Sequence, residues 1–333
     1  MDISVVIPVY NSANTLSLLV DRLISTMEQL HVSYELLFVD DGSQDESWQT
    51  LNQLHREHPE CVVAIQLMRN FGQHNALMCG FRHSQGQFVV TLDDDLQNPP
   101  EEIPRLLQVI RDSSLDLVYG VPELKQHSSW RNLGSWVVRT VFRIMFRTRI
   151  SITSFRMMRR ELVQAIFPYN LNFTFVDGLL AWNTQRIGQL TVNHQPRTTG
   201  QTGYSISKLV VLALNLFTNF SLLPLQVVSF VGFIAATTGL LAGLYYLAAS
   251  LLHNIRVPGY ASIIVSILVL GGIQLLSLGI IGEYLGRLHL NVNRKPQYTI
   301  RKTINSVEGM SATKDHAPSE TEMDSSTDVE TSA

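Results

Sequence analysis

Two cysteines, Cys61 and Cys79, are all that 333 residues contain, and both sit inside apolar segments. That leaves neither a disulfide framework nor a cysteine spacing of the zinc type, and it suits a reducing compartment. No Gly-x-Gly-x-x-Gly follows the first apolar run and no Gly-x-x-x-x-Gly-Lys occurs, which weighs against a dinucleotide dehydrogenase and a P-loop NTPase. The opening MDISVVIPVY has no basic n-region and too short an apolar run, so no signal peptide is expected. Acids are missing from residues 124–160, which hold Lys125 and eight arginines. Charge of either sign is missing from residues 221–255 and 257–282. Beyond Asn305 large apolar residues are nearly absent and acids dominate, so the net charge of −3 averages over an uneven chain. The basic stretch is rich in Trp, Phe and Val rather than in polar loops, which excludes nucleic acid as the expected partner.

What is present begins as short apolar runs alternating with helical periodicity. Runs at residues 3–9, 34–39, 62–67, 88–92 and 116–119 read as buried strands. Helical patterns are expected over residues 16–27, from Ser43 as cap to about His58, and over 75–83. A strand over 150–158, a helix over 159–167 and another over 173–183, with Asp177 as a capping or dipole-pairing residue, complete the expectation. Alternation of this kind predicts an α/β fold with a mostly parallel sheet. In open sheets ligands bind outside the carboxyl ends of the strands. The polar clusters Tyr10-Asn11, Asp40-Asp41, residues 69–74 and Asp93–Gln97 all fall there. The most telling is VVTLDDDLQNPPEE at 89–102, a strand ending in three carboxylates, followed by a helix with Asn98 as N-cap and Glu101 at the capping-box position. Carboxylates two apart at a strand end can converge on a hard cation. With no glycine-rich loop present, phosphates would be held by metal.

Residues 129–149 place Trp130, Leu133, Val137 and Val141 on one helical face and Arg139, Arg143 and Arg147 on the other. That composition predicts a helix lying in a membrane interface. A second largely apolar helix is expected over 206–220. Residues 221–286 then hold two spans, about 225–250 and 261–284, joined by a short loop into a hairpin. The basic flanks, Lys208 on one side and Arg287, Arg294, Lys295, Arg301 and Lys302 on the other, put both chain ends in the cytoplasm by the positive-inside rule. Residues 287–303 form a basic juxtamembrane segment and 304–333 a disordered acidic tail. The catalytic unit is residues 1–205.

SVVIPVYN at 4–11, VDDGSQDES at 39–47, RNFGQHNALMCGF at 69–81, TLDDDLQNPPEEIP at 91–104 and GEYLGR at 282–287 together resemble glycosyltransferase family 2, and within it the polyprenyl-phosphate glycosyltransferases. The resemblance implies a GT-A-like domain, a nucleotide-diphosphate-sugar donor (a UDP-sugar) and a polyprenyl phosphate acceptor such as undecaprenyl phosphate. It implies an integral inner-membrane enzyme that supplies a lipid-linked sugar for cell-envelope polysaccharide or lipopolysaccharide modification, and it is compatible with a homo-oligomer. By the same resemblance Pro8, Tyr10, Asn11, Asp40 and Asp41 line the nucleoside pocket. Asp93, Asp95 and Gln97 hold Mg²⁺ or Mn²⁺, Asp93 and Asp95 thereby being catalytic, while Gly72, Gln73, His74 and Asp94 lie along the donor. Asp94 stands where the family usually has a small residue and is not given to the metal. The family's Gly-Asp-Phe-Arg is here Thr153-Ser154-Phe155-Arg156, so an acid is lost, and the resemblance implies that Arg156 is retained as a catalytic residue that meets a phosphate. The acceptor loop has Arg197 but lacks the usual lysine, which leaves Lys208, Arg139 or Arg143 to meet the acceptor phosphate.

A phosphate monoester is anionic at neutral pH and needs no base to attack an anomeric carbon, so loss of the acid at Ser154 is tolerable. Direct displacement inverts that centre. Two rivals stand beside this reading. A processive polysaccharide synthase of the same superfamily would carry Gln-x-x-Arg-Trp and more spans, and a non-catalytic nucleotide-binding membrane scaffold would release no nucleoside diphosphate.

Overall fold

The computed structural model describes residues 1–122, 151–169, 174–193, 223–253, 259–292 and 296–305. The helices expected at 129–149 and 206–220, the residues Arg139, Arg143, Arg197 and Lys208, and the tail from 306 onward lie outside the described residues.

The chain begins β1 (Ile3–Val9), α1 (Ala13–Leu30), β2 (Tyr34–Asp40), α2 (Ser47–Glu57), β3 (Val62–Leu67), α3 (Gln73–His83) and β4 (Phe88–Thr91). A 3-10 turn (Pro100–Glu102), α4 (Ile103–Asp112), β5 (Leu117–Pro122), β6 (Arg156–Arg159), α5 (Arg160–Ala165), α6 (Val176–Asn183) and β7 (Ile187–Val192) follow. Two long helices, α7 (Leu223–His253) and α8 (Tyr260–Val292), precede a last strand, β8 (Ile300–Ile304). The strands form one sheet in the order β7-β5-β6-β4-β1-β2-β3-β8. Only β6 and β8 run against the rest.

Alternation along β1 shows how the core is divided. Ile3, Val5, Ile7 and Val9 pack on one face with Leu16, Leu19 and Leu23 of α1 and Leu106 of α4. Val6 faces the other side with Met78 and Phe81 of α3 and Leu179 of α6. A strand buried on both faces reads as a continuous apolar run, as the sequence does here. The chain moves outward from β1 to β2 and β3, then returns to place β4 on the other flank of β1. That reversal opens a crevice at the carboxyl ends of β1 and β4, the general position for a ligand in such sheets.

Four expectations need correction. The strand expected over 150–158 is confined to Arg156–Arg159 and runs antiparallel between β4 and β5, because Thr153 Oγ1 donates to the Gly120 and Phe155 carbonyls and holds the preceding residues out of the ladder. Asn98 caps nothing: the 3-10 turn intervenes, and Glu101 reaches Arg22 of α1 at 2.7 Å instead of its own helix end. Ser43 is not the cap of α2, which starts at Ser47; its amide donates to Asp40 and its hydroxyl accepts from the Asn11 amide. Part of the segment assigned to the juxtamembrane region, Ile300–Ile304, is a strand that closes the β3 edge of the sheet. Its charged residues Arg301 and Lys302 disguise a strand that is covered on one side only.

In α8 the stretch Val269–Gly286 is long and apolar enough to cross a membrane, and α7 contains a shorter apolar stretch, Leu225–Gly239. Their large side chains point outward: Phe233 is 70% exposed and Leu275 72%.

Gly42 sits at φ +70° with the Arg69 carbonyl carbon 2.5 Å from where a Cβ would stand. Both the dihedral and the approach of the β3–α3 loop exclude a side chain. Gly42→Ala is therefore expected to cost about 1–3 kcal/mol, read as a lowered thermal unfolding midpoint of the detergent-solubilised full chain.

Candidate active site

The crevice is built from loops that tie to one another before any ligand is considered. β2 ends in Asp40, fully buried, whose carboxylate accepts from the Ser43 amide at 3.0 Å and from Gln66 Nε2 at 3.2 Å. Asp41 is also buried and accepts from the Phe71 and Gly72 amides at 2.7 and 2.8 Å. Burial raises its carboxyl above the ordinary range, opposed by those two amides. Asn11, at φ +55°, accepts the Gln44 amide on Oδ1 at 2.8 Å. Asp41 and Asn11 thus fasten the loops after β1, β2 and β3 together. Pro8 is buried within β1, whereas Tyr10 is exposed at its end.

Across the crevice stand the three carboxylates. Asp94 accepts from the Tyr10 amide at 3.3 Å, which bridges the carboxyl ends of β1 and β4. Asp93 is held from two sides, by Gln73 Nε2 at 2.7 Å and Ser154 Oγ at 2.5 Å. Asp95 accepts from the Gln97 amide at 3.2 Å. Leu96 between them is at φ +62° with its side chain in the core. A left-handed conformation is unfavourable for a bulky residue, so the buried leucine holds the acid loop in a shape it would not otherwise keep. Burial raises the Asp93 carboxyl, Ser154 opposes this, and the Asp95 charge adds to the rise. Burial also pushes Asp94 up to about 6.

Among the described residues no three His, Cys, Asp or Glu side chains converge as a complete metal cage. The donor set nevertheless fits a hard divalent cation. A buried carboxyl that is raised, as Asp93 is, is relieved by positive charge, and a cation of the Mg²⁺ type is commonly held by one or two carboxylates plus substrate phosphates. Asp93 and Asp95 could supply that pair, and Gln97 lies on the same loop.

A buried ion pair near Asp93 joins two residues that the sequence left unconnected. Arg156 is 1% exposed and its guanidinium meets the Asp177 carboxylate, which also accepts from Tyr119 Oη at 2.8 Å. The expectation that Arg156 meets a phosphate is corrected in this respect: its charge is taken by Asp177, and it acts on Asp93 only through space. Asp177 is in the first turn of α6, yet makes no cap; it is the counter-ion of Arg156. His74 stands next to this pair, edge-on to Phe175 with ring centroids 5.3 Å apart, and burial shifts it toward the neutral form. Gly72 has open space around it and a φ of +91°, which lets α3 begin beside Asp93. Ser154, where the family pattern has an acid, emerges as a direct hydrogen-bond partner of Asp93, its own carbonyl held by Thr91 Oγ1 at 2.6 Å. Nothing local in the sequence marks Tyr119, and Ser154 is marked there only as a lost acid, since both act across strands far apart in the chain.

Residues 4–167 match the family model described as glycosyl transferase family 2. The chain is 35% identical over 305 residues to an uncharacterized glycosyltransferase of Synechocystis sp., with 90% of this chain and 95% of that protein covered. It is 34% identical over 308 residues to undecaprenyl-phosphate 4-deoxy-4-formamido-L-arabinose transferase of Serratia proteamaculans, with 91% and 94% covered. Among solved structures, glucosyl-3-phosphoglycerate synthase from Mycobacterium tuberculosis superposes at a TM-score of 0.46 with 18% identity, over 65% of this chain and 77% of that one.

Two outcomes are expected from this geometry. Asp177→Ala should cost about 3–5 kcal/mol by leaving Arg156 charged and unpaired, and Arg156→Met combined with Asp177→Leu should recover most of it in thermal unfolding. Asp94 bears on pH. Its folded pKa of about 6 exceeds the ordinary value of 3.8, so the folded state binds more protons between the two. Stability of chelator-treated, nucleotide-free protein should therefore fall as pH rises from about 4 to about 6, and Asp94→Asn should flatten that slope in a series of melts.

Proposed function

Since the chain belongs to glycosyl transferase family 2, and is thus a glycosyltransferase, we propose that it moves a sugar from a UDP-sugar donor to undecaprenyl phosphate at the cytoplasmic face of the membrane, with inversion. The observation that carries the lipid acceptor is the reach of the similarity. It covers 91% of the chain, well beyond the family domain at residues 4–167 and into the apolar helices. The name of that relative specifies an undecaprenyl-phosphate acceptor. The two exposed apolar helices support a membrane hairpin, and β8 supports its topology: the chain leaving α8 rejoins the sheet that bears the site, so the end of α8 and the catalytic domain share one side. The basic flanks make that side the cytoplasm. The product serves cell-envelope polysaccharide or lipopolysaccharide modification.

The residues divide the work by position. Tyr10, with Pro8 and Asn11, lines the nucleoside side of the crevice, and the Asp40 carboxylate keeps acceptor capacity for a base N–H beyond its two internal donors. Asp41 shapes this wall rather than touching the donor. Asp93 and Asp95, with Gln97, would hold Mg²⁺ or Mn²⁺, which supplies positive charge to the departing diphosphate when bound. Gln73 and Ser154 orient Asp93 for that task, and the α3 N-terminus at Gly72, Gln73 and His74 offers its dipole to the donor phosphates. Arg139, Arg143, Arg197 and Lys208 are the cations proposed to receive the acceptor phosphate. An oxygen of that phosphate forms the new bond to the anomeric carbon as the bond to the nucleoside diphosphate breaks. No proton needs removing from the nucleophile, so serine at position 154 suffices.

A turnover assay on the purified full chain tests this, with a panel of UDP-sugars and undecaprenyl phosphate and with mass spectrometry of the lipid product. A lipid-linked sugar and UDP are expected from at least one donor. Asp95→Asn should lower turnover by at least 100-fold while leaving the protein folded and membrane-bound, and chelator should abolish activity until Mg²⁺ or Mn²⁺ is returned. Release of no nucleoside diphosphate from any donor would favour a binding scaffold, and a polymeric product would favour a processive synthase.

A further inference from the structure

β8 fixes more than topology. It pairs with β3 so that Leu67, the last residue of β3, lies opposite Ile300, the first of β8. The Met68 amide then donates to the Thr299 carbonyl at 2.9 Å, and Arg301 returns a hydrogen bond from its guanidinium to the Met68 carbonyl at 3.0 Å. Gln297, buried, donates to the Tyr169 carbonyl at 3.0 Å and to Thr174 Oγ1 at 3.1 Å. The chain arriving from α8 is thus fastened at the carboxyl edge of the sheet, the edge that carries Tyr10 and Asp93–Asp95.

Length limits how far that edge can stand from a bilayer. α8 has 33 residues, about 50 Å of helix against ~30 Å of hydrocarbon. Residues 293–299 add at most ~3.5 Å each, so Thr299 lies within ~25 Å of the end of α8. What the strap holds there is an unusual surface. Met68 is 49% exposed. Arg69 is exposed and its guanidinium stacks over the Phe71 ring at 4.4 Å. No ion pair to Arg69 or Arg301 is seen among the described residues. An exposed methionine, a partly buried phenylalanine and two arginines on one loop-and-strand edge combine an apolar tip with cations, the composition that suits a headgroup layer.

Resting on the reading that α7 and α8 span the membrane, we infer that the loop Met68–Phe71, braced by β8 and Arg301, is a bilayer contact surface. Met68 enters the headgroup layer, and Arg69 and Arg301 take phospholipid phosphates. It turns the catalytic edge toward the lipid acceptor. The occupant is the anionic bilayer surface rather than the acceptor, because Arg69 and Arg301 lie on the exposed edge formed by the β3–α3 loop and β8.

The test uses the full chain in nanodiscs with an environment-sensitive fluorophore on Met68→Cys. The native thiols stay unlabelled, because burial raises Cys61 to about 11 and Cys79 to about 12. Glu57→Cys, at the end of α2 on the opposite edge of the sheet, is the control. Leu275→Cys in α8 reports the span. The inference expects headgroup-nitroxide lipids to quench the label at position 68 at least threefold more than at 57. It also expects the difference to shrink when Arg69→Gln and Arg301→Gln are combined or when anionic lipid is replaced by zwitterionic lipid. Equal quenching at 68 and 57, with position 275 quenched by deep acyl nitroxides, overturns this inference and leaves the membrane reading standing. Quenching at 68 that appears only after undecaprenyl phosphate is added overturns it in favour of an acceptor site. An unquenched position 275 removes the membrane reading and this inference together.

Discussion

The crowding of three carboxylates at the carboxyl end of β4 is the constraint to which the surrounding structure answers. Like charges this close are unfavourable in a partly desolvated crevice, and each is met by a donor, for Asp93 and Asp94 from elsewhere in the chain. The Tyr10 amide reaches Asp94, Gln73 and Ser154 reach Asp93, and the Gln97 amide reaches Asp95. Leu96 keeps the loop in its left-handed turn by burying its side chain in the core. The charge is only partly neutralised by these contacts. A site of this kind is poised to accept a cation and an anionic donor together, and it holds unfavourable electrostatics in reserve until they arrive.

The buried pair of Arg156 and Asp177 works one layer below. It sets a positive charge behind Asp93 without exposing it, and Tyr119 completes its hydrogen bonding. Such a pair contributes little net stability but is costly to break from one side. Its value here is positional. It ties β5, β6 and α6 together at the point where Thr91 and Ser154 hold the acid loop.

The last strand joins this chemistry to the apolar helices. β8 pins the chain that leaves α8 to the β3 edge of the sheet, so the connection between the two is short. With it, the chain from α8 arrives at the edge where the donor residues converge. A two-substrate reaction between a soluble nucleotide sugar and a lipid phosphate needs that meeting of surfaces, since orientation supplies much of the rate.

Much of this was legible in the linear chain. The apolar runs at residues 3–9 and 62–67 mark strands buried on both faces, and the clusters that follow them are the crevice, because a parallel sheet brings its carboxyl ends to one edge whatever the loops contain. The uncharged stretches at 221–255 and 257–282 marked the apolar helices by length alone. Other features depended on contacts between residues far apart. Arg156 resembles a phosphate ligand until folding places Asp177 against it, and Ser154 looks like a loss until its hydroxyl meets Asp93, 61 residues away in the chain. Residues 300–304, charged and short, become a strand only because the edge of β3 is open to receive them. Periodicity and composition report what a segment buries, and those are local properties. Which side chain neutralises which charge is a matter of a few ångströms across separate elements, and only the tertiary structure decides it.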